Sequence, residues 1–286
     1  MGARFVQSNG LRFAYLQDGP ADGPLALLLH GFPDTAHTWR HLAPRLADLG
    51  YRVVAPWMRG YAPTAPHPDR TIDGDTLAAD ANALHRALGG GDDAVLVGHD
   101  WGAFAGYRAV AAAPERWARL VTLAVPPDPA LAGARRDAAQ VRRSWYVAAL
   151  KAPGSERLLA RNDLALVDRL WRDWSPGYDG AADVEHVRSS LRSPDAVRSA
   201  VAYYRGLDLL RPSTPPAALV PPRPTLYLHG SDDGCIGRRY AEAARDVLTH
   251  PASVVEVVPR AGHFLHLEHP EVVNATIVAF LSADAA

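Results

Sequence analysis

One cysteine in 286 residues, Cys235, leaves no partner for an internal disulfide and rules out a thiolate metal cluster. Lysine is equally scarce: Lys151 stands alone and every other member of the 30 basic residues is arginine, which leaves little for Schiff-base chemistry. No stretch approaches the roughly 20 apolar residues that a membrane helix needs. The opening MGARFVQSNG lacks the basic-then-apolar run of an export signal, so cytoplasm is the default expectation. Thirty basic against 31 acidic side chains give a formal charge of -1, so nothing in the overall charge draws the chain to nucleic acid or to a membrane surface. What is present is apolar material, 48% of the chain, enough for a large core around a small neutral ligand. The oligomeric state, a homodimer included, stays open.

Short apolar runs recur at 25–29, 52–55, 94–97, 120–125, 225–228 and 254–258, each bounded by Gly, Pro or charge. They are too short for helices and predominantly apolar, as buried parallel strands are. Amphipathic stretches near 37–49, 75–88, 102–113, 238–248 and 270–282 supply the crossovers that parallel strands require. The class is α/β. Two further segments, 5–6 and 11–16 around Asn9-Gly10, read as a hairpin at the sheet edge. From Asp128 the strand signal stops and an Arg- and Trp-rich helical unit runs to the proline-dense STPPAALVPPRP. This divides the chain into a core of 1–127 and 215–286 with a helical insertion at 128–214, placed where α/β proteins bind ligands.

The densest chemical signal is AVLVGHDWGAFAG, a strand running through Gly98-His99-Asp100-Trp101-Gly102 into a helix. This is the G-x-D-x-G form of a nucleophile elbow, with aspartate at the strained centre. LALLLHGFP ends another strand in His30-Gly31-Phe32-Pro33, a segment that can present a backbone N–H to an oxyanion. Asp233 follows the strand TLYLHG, and His263 follows the last strand in GHF. Nucleophile, acid and histidine thus fall at three strand ends in the hydrolase order. A carboxylate with an ordinary pKa near 3.9 needs no base before it attacks. Its attack on an acyl carbon would give a mixed anhydride, so the suitable electrophile is a saturated carbon bearing a leaving group, attacked to form an ester.

HGFP, GHDWG, Gly230-x-x-Asp233 and Gly262-His263-Phe264 together resemble the epoxide hydrolase family of the α/β-hydrolase superfamily, over essentially the whole chain. The resemblance implies a mostly parallel twisted sheet flanked by helices, with an inserted helical cap. It implies Asp100 as nucleophile, His263 as the base for water, Asp233 as its acid partner, and the N–H groups of Phe32 and Trp101 as oxyanion hole. Two cap tyrosines that protonate the epoxide oxygen map onto Tyr146 in RSWYVAALKAPG and Tyr204 in AVAYYRGL. Val197, Val201 and Tyr204 share a helical face, which turns Tyr204 inward and Tyr203 elsewhere. His30, Pro33, Trp39, His99 and Phe264 are expected to shape the pocket. The implied substrates are a small apolar epoxide and water, with no cofactor and no metal.

Dehalogenases share this core and are the competing reading, supported by a tryptophan directly after the nucleophile. Against it, HGFP lacks the Asn or Glu of haloalkane dehalogenases, and GHDWG lacks the arginine of fluoroacetate dehalogenases. A catalytically silent ligand-binding protein is the third reading, opposed by the intact nucleophile, histidine and acid. Asp128 and Asp232 stand near the acid position as alternatives to Asp233. His266 and His269 invite a metal reading, but no carboxylate or thiolate motif joins them, so helix-entry and surface roles are expected. Trp145, Trp171 and Trp174 are expected to anchor the helical unit, and any of them could line the cavity. LAVPPDP and LKAPG depart from the family pattern near Tyr146 and leave the substrate's shape open.

Overall fold

A computed structural model describes residues 2–66, 72–207 and 219–283. Eight strands form one sheet in the order β1-β2-β4-β3-β5-β6-β7-β8: Arg4–Ser8, Leu11–Asp18, Leu25–Leu29, Arg52–Pro56, Val95–His99, Arg119–Leu123, Thr225–Gly230 and Val254–Val258. β3 to β8 are parallel, and the β1–β2 hairpin joins antiparallel to β4. The α/β expectation holds, and the hairpin lies at the edge as its Asn-Gly turn implies.

The apolar strand runs are explained by burial. Val95, Leu96 and Val97 of β5 are 1% exposed or less, in a sheet covered on both faces. Each such side chain contributes about 1.5–3 kcal/mol from area removed from water. The crossovers are α1 (Ala43–Asp48), α2 (Gly74–Ala87) and α3 (Trp101–Ala112). The helix expected over 37–49 is split into a 3-10 turn at Ala36–Arg40 and α1, because Pro44 fits only the start of a helix.

Between β6 and β7 the described chain carries helices alone: α4 (Ala138–Arg143), α5 (Trp145–Lys151), α6 (Ser155–Trp174), α7 (Ala181–Ser190) and α8 (Pro194–Gly206), after two 3-10 turns. The end of this unit, expected at 214, lies outside the described residues, as does part of the proline-dense joint. The chain closes with α9 (Arg238–Val247), α10 (Leu265–Glu268) and α11 (Pro270–Ser282).

The sheet order fixes the site. From β3 the chain moves to β4 on one side and then to β5 on the other, so the ends of β3 and β5 flank the point where strand order reverses. A crevice opens there because successive connections lead away in opposite directions. Phe32 follows β3 and Asp100 follows β5.

Candidate active site

Asp100 sits between β5 and α3 with φ 51° and ψ -115°. That positive φ costs an L-residue of order 1–3 kcal/mol, and it is held by the packed strand and helix on either side. The flanking glycines are required by close approach: a methyl on Gly102 would run into the Leu29 carbonyl, and one on Gly98 into the Gly102 carbonyl. The turn lifts the carboxylate out of the sheet. Its Oδ1 accepts the Phe32 N–H at 2.8 Å, and Trp101 opens α3 with one of the donors that a helix start leaves unpaired.

His263 follows β8, with Nδ1 at 3.0 Å from Asp233 Oδ2 and Nε2 at 3.6 Å from Asp100 Oδ2. Asp233 Oδ1 accepts the N–H groups of Cys235 at 2.6 Å and Ile236 at 2.9 Å, which aims Oδ2 at the imidazole. Asp232 is exposed and bonded to Ser231, while Asp128 pairs with Arg108 at 2.5 Å. Of the three acids considered, the fold brings Asp233 to the histidine.

Electrostatics follow from an imidazole between two carboxylates. Burial lowers the basicity of His263, but Asp233 and Asp100 overcome it and raise its pKa to about 10. Burial pushes both carboxyls up, and the His263 charge more than reverses this, so both end below the ordinary range. The resting site is therefore imidazolium with two carboxylates. Because the folded pKa of His263 lies above its ordinary 6.5, its stabilising contribution is complete below that value and is lost as pH rises through about 10. The thermal midpoint is expected to fall across that interval in the wild type and to fall less in His263→Gln. Equal slopes in calorimetry would exclude the paired imidazolium.

Two buried phenols lie close enough to Asp100 to feel its charge. Tyr146 on α5 and Tyr204 on α8 meet edge to face, with ring centroids 5.7 Å apart. Tyr204 also packs on Phe32 at 5.0 Å and Trp101 at 5.5 Å, and its hydroxyl receives the Trp101 indole N–H. Burial, reinforced by neighbours that include Asp100, raises both phenols well above their ordinary range, so both keep their protons. Tyr203 turns away and donates to the Arg59 carbonyl at 2.8 Å.

The five expected wall residues are buried and engaged. His30 bonds Gly31 and Met58, His99 bonds the His263 carbonyl, Trp39 stacks on His266, Pro33 accepts the Trp171 indole N–H, and Phe264 stacks on Trp171 at 3.6 Å. His269 is at a helix entry as expected. His266 is not at the surface: it is 2% exposed, in a short helix whose first three residues are all buried. It also has a carboxylate neighbour that the sequence reading missed, Asp34.

Two other residues do more than the sequence led us to expect. Cys235 Sγ lies 3.2 Å from the Tyr146 hydroxyl, a contact that a lone cysteine does not announce. Trp174 packs its ring on both His263 and Tyr146, and its carbonyl accepts the N–H groups of His263 at 3.0 Å and Gly234 at 3.1 Å. The Trp171-x-x-Trp174 spacing, one helical face, was the available signal.

Residues 24–270 match the alpha/beta hydrolase fold family. The chain belongs to that family. This α/β-hydrolase is 29% identical to Epoxide hydrolase A of Mycobacterium tuberculosis, over 99% of this chain and 98% of that protein. It is 29% identical to Epoxide hydrolase 4 of Mus musculus, over 98% of this chain and 79% of that one. Among solved structures, Epoxide Hydrolase A from Mycobacterium thermoresistibile superposes with a TM-score of 0.84 at 27% identity, covering 98% of each chain. No described helix of the α/β-hydrolase is long and apolar enough to cross a membrane.

Proposed function

We propose that the protein is an epoxide hydrolase that opens a small apolar epoxide to a vicinal diol. The observation that carries this reading is the pair of buried, protonated phenols packed together beside an ionised carboxylate, since a strained ether needs a proton on oxygen as its carbon is attacked. The relatives named epoxide hydrolase support it. Asp100 Oδ2 attacks an epoxide carbon, the C–O bond breaks, and the oxygen takes a proton from Tyr146 or Tyr204. The product is an alkyl ester of Asp100.

Esterification removes one of the two anions that hold His263 protonated. Its proton then leaves to restore the phenol, and the neutral ring becomes the base. Oriented by Asp233, it takes a proton from water, which adds to the ester carbonyl. The oxyanion forms on the oxygen that already accepts the Phe32 N–H, with Trp101 N–H as second donor. Collapse releases the diol and regenerates the carboxylate. The helical unit at 128–214 acts as the cap that carries both proton donors and closes over the core.

A screen of styrene oxide, a simple alkyl bromide, fluoroacetate and a nitrophenyl ester tests the reading. Diol from styrene oxide is the expected product; halide release without diol favours a dehalogenase, and no turnover of any favours a binding protein. Tyr146→Phe with Tyr204→Phe is expected to lower epoxide turnover by about 10²–10⁴-fold, the usual reach of a lost general acid. Any turnover of alkyl bromide should be affected far less, because bromide leaves unprotonated. Equal losses on both substrates would remove the proton-donor assignment.

A further inference from the structure

Asp34, His99 and His266 form a second group of buried polar side chains that the scheme above does not use, 2%, 0% and 2% exposed. They come from the HGFPD loop, the end of β5 and α10. Asp34 Oδ2, His99 Nδ1 and His266 Nδ1 each lack a hydrogen-bonding partner among the described residues. A donor atom from each residue lies within 4.8 Å of the others, with Asp34 Oδ2 at 3.9 Å from His99 Nδ1. A buried polar atom left unpaired is costly, so convergence of three points to a ligand between them.

Proton accounting narrows the choice. His99 Nε2 lies 3.0 Å from the His263 carbonyl, which only accepts, so Nε2 carries the hydrogen and Nδ1 presents a lone pair. The Thr38 hydroxyl donates to Asp34 and lies 2.6 Å from His266 Nε2, so it accepts from that nitrogen and His266 Nδ1 also presents a lone pair. With Asp34 ionised, three acceptors would face one another, and a water has only two hydrogens to offer. A divalent ion could take all three. At about 2.1 Å from each atom, however, the 3.9 Å separation opens its angle to roughly 136°, far from ~109° tetrahedral or ~90° octahedral geometry. A water at about 2.8 Å subtends roughly 88° across the same pair, which its hydrogen bonds accommodate.

We propose that Asp34, His99 and His266 form a binding site for one internal water molecule, completed by an un-ionised Asp34 carboxyl. The water donates to His99 Nδ1 and His266 Nδ1 and accepts the proton on Asp34 Oδ2. Burial agrees with this assignment, pushing the Asp34 carboxyl up to about 7, His99 down to about 3 and His266 well below its ordinary value. The other groups around the carboxyl are the Thr35 N–H, the Thr38 hydroxyl, and Arg40 with Asp183, which pair with each other at 2.5 Å and so bring no net charge. The site touches the catalytic machinery through His99, whose Nε2–H holds the His263 carbonyl and whose ring lies 4.9 Å from that of His263. It thereby positions the His263 backbone without adding an anion behind the imidazole. The assignment is independent of what Asp100 attacks.

A high-resolution crystal structure of the whole protein at about pH 5, where Asp34 holds its proton, with anomalous data, tests the ligand. The expected result is one peak at about 2.8 Å from all three atoms without anomalous signal. No peak, or a peak near about 2.1 Å, would overturn the proposal. Infrared difference spectra at about pH 5, below the Asp34 value, of protein labelled with ¹³C at aspartate carboxyls, wild type against Asp34→Asn, test the proton. Loss of one un-ionised carboxyl band is expected; loss of a carboxylate band instead would mean that Asp34 is an anion and that the assignment is wrong.

Discussion

Asp100→Asn is expected to lower epoxide turnover by roughly 10⁴-fold or more, because an amide at this position has no anionic oxygen with which to form the ester. The fold should be retained: the amide oxygen can still accept the Phe32 N–H, and the elbow is held by Gly98 and Gly102 rather than by the carboxylate. A fresh preparation must be assayed, since slow deamidation would restore the wild type. The companion measurement is a single turnover of wild type in ¹⁸O water followed by mass spectrometry of the peptide containing residue 100. One heavy oxygen should appear in that side chain. Full activity of the amide variant, or an unlabelled peptide, would mean that water attacks the epoxide directly.

His263→Gln separates the two half-reactions. Attack by Asp100 needs the carboxylate and the phenols but not the base, so the first step should continue while the second stalls, with steady-state turnover lower by roughly 10³-fold or more. Intact-protein mass spectrometry should then show an adduct of one substrate mass, formed in a burst equal to the enzyme concentration. An equally slow first step with no adduct would mean that His263 acts before the ester, or only through its charge. The geometry argues for the sequential reading: Nε2 lies 3.6 Å from Asp100 Oδ2, close enough to balance its charge yet too far for a good hydrogen bond.

The inner strands were legible because parallel strands covered on both faces are apolar throughout, as in β3 and β5, while the edge strand β8 was legible from its short β-branched run, VVEVV, despite the exposed Val254 and Glu256. The positions of Asp100, Asp233 and His263 were legible for the same reason: each follows directly from a strand, so the sheet order alone brings their loops to one edge. The family resemblance singled out Tyr204, and helical spacing gave its inward turn. Other features depend on contacts between distant segments. Thr38 meets His266 across 228 positions, and no local periodicity records that. The partner of the Tyr146 hydroxyl is a cysteine 89 residues away in a core loop, invisible until α5 is laid over it. The split at 37–49 was within reach, since Pro44 marks it, but amphipathicity alone continues through the break.

The Trp174 carbonyl, which accepts from Gly234 beside the acid and from His263 itself, makes the distance between those two loops a property of the last turn of α6. Under the proposed function, substrate selection by the helical unit and placement of the base are therefore tied through one carbonyl. A chimera that transplants the helical lid from a relative should shift selectivity and rate constant in concert unless the recipient also receives the donor's segment around Ser175. Laboratory evolution for new substrates would for the same reason find its freest positions in the earlier lid helices, away from that joint.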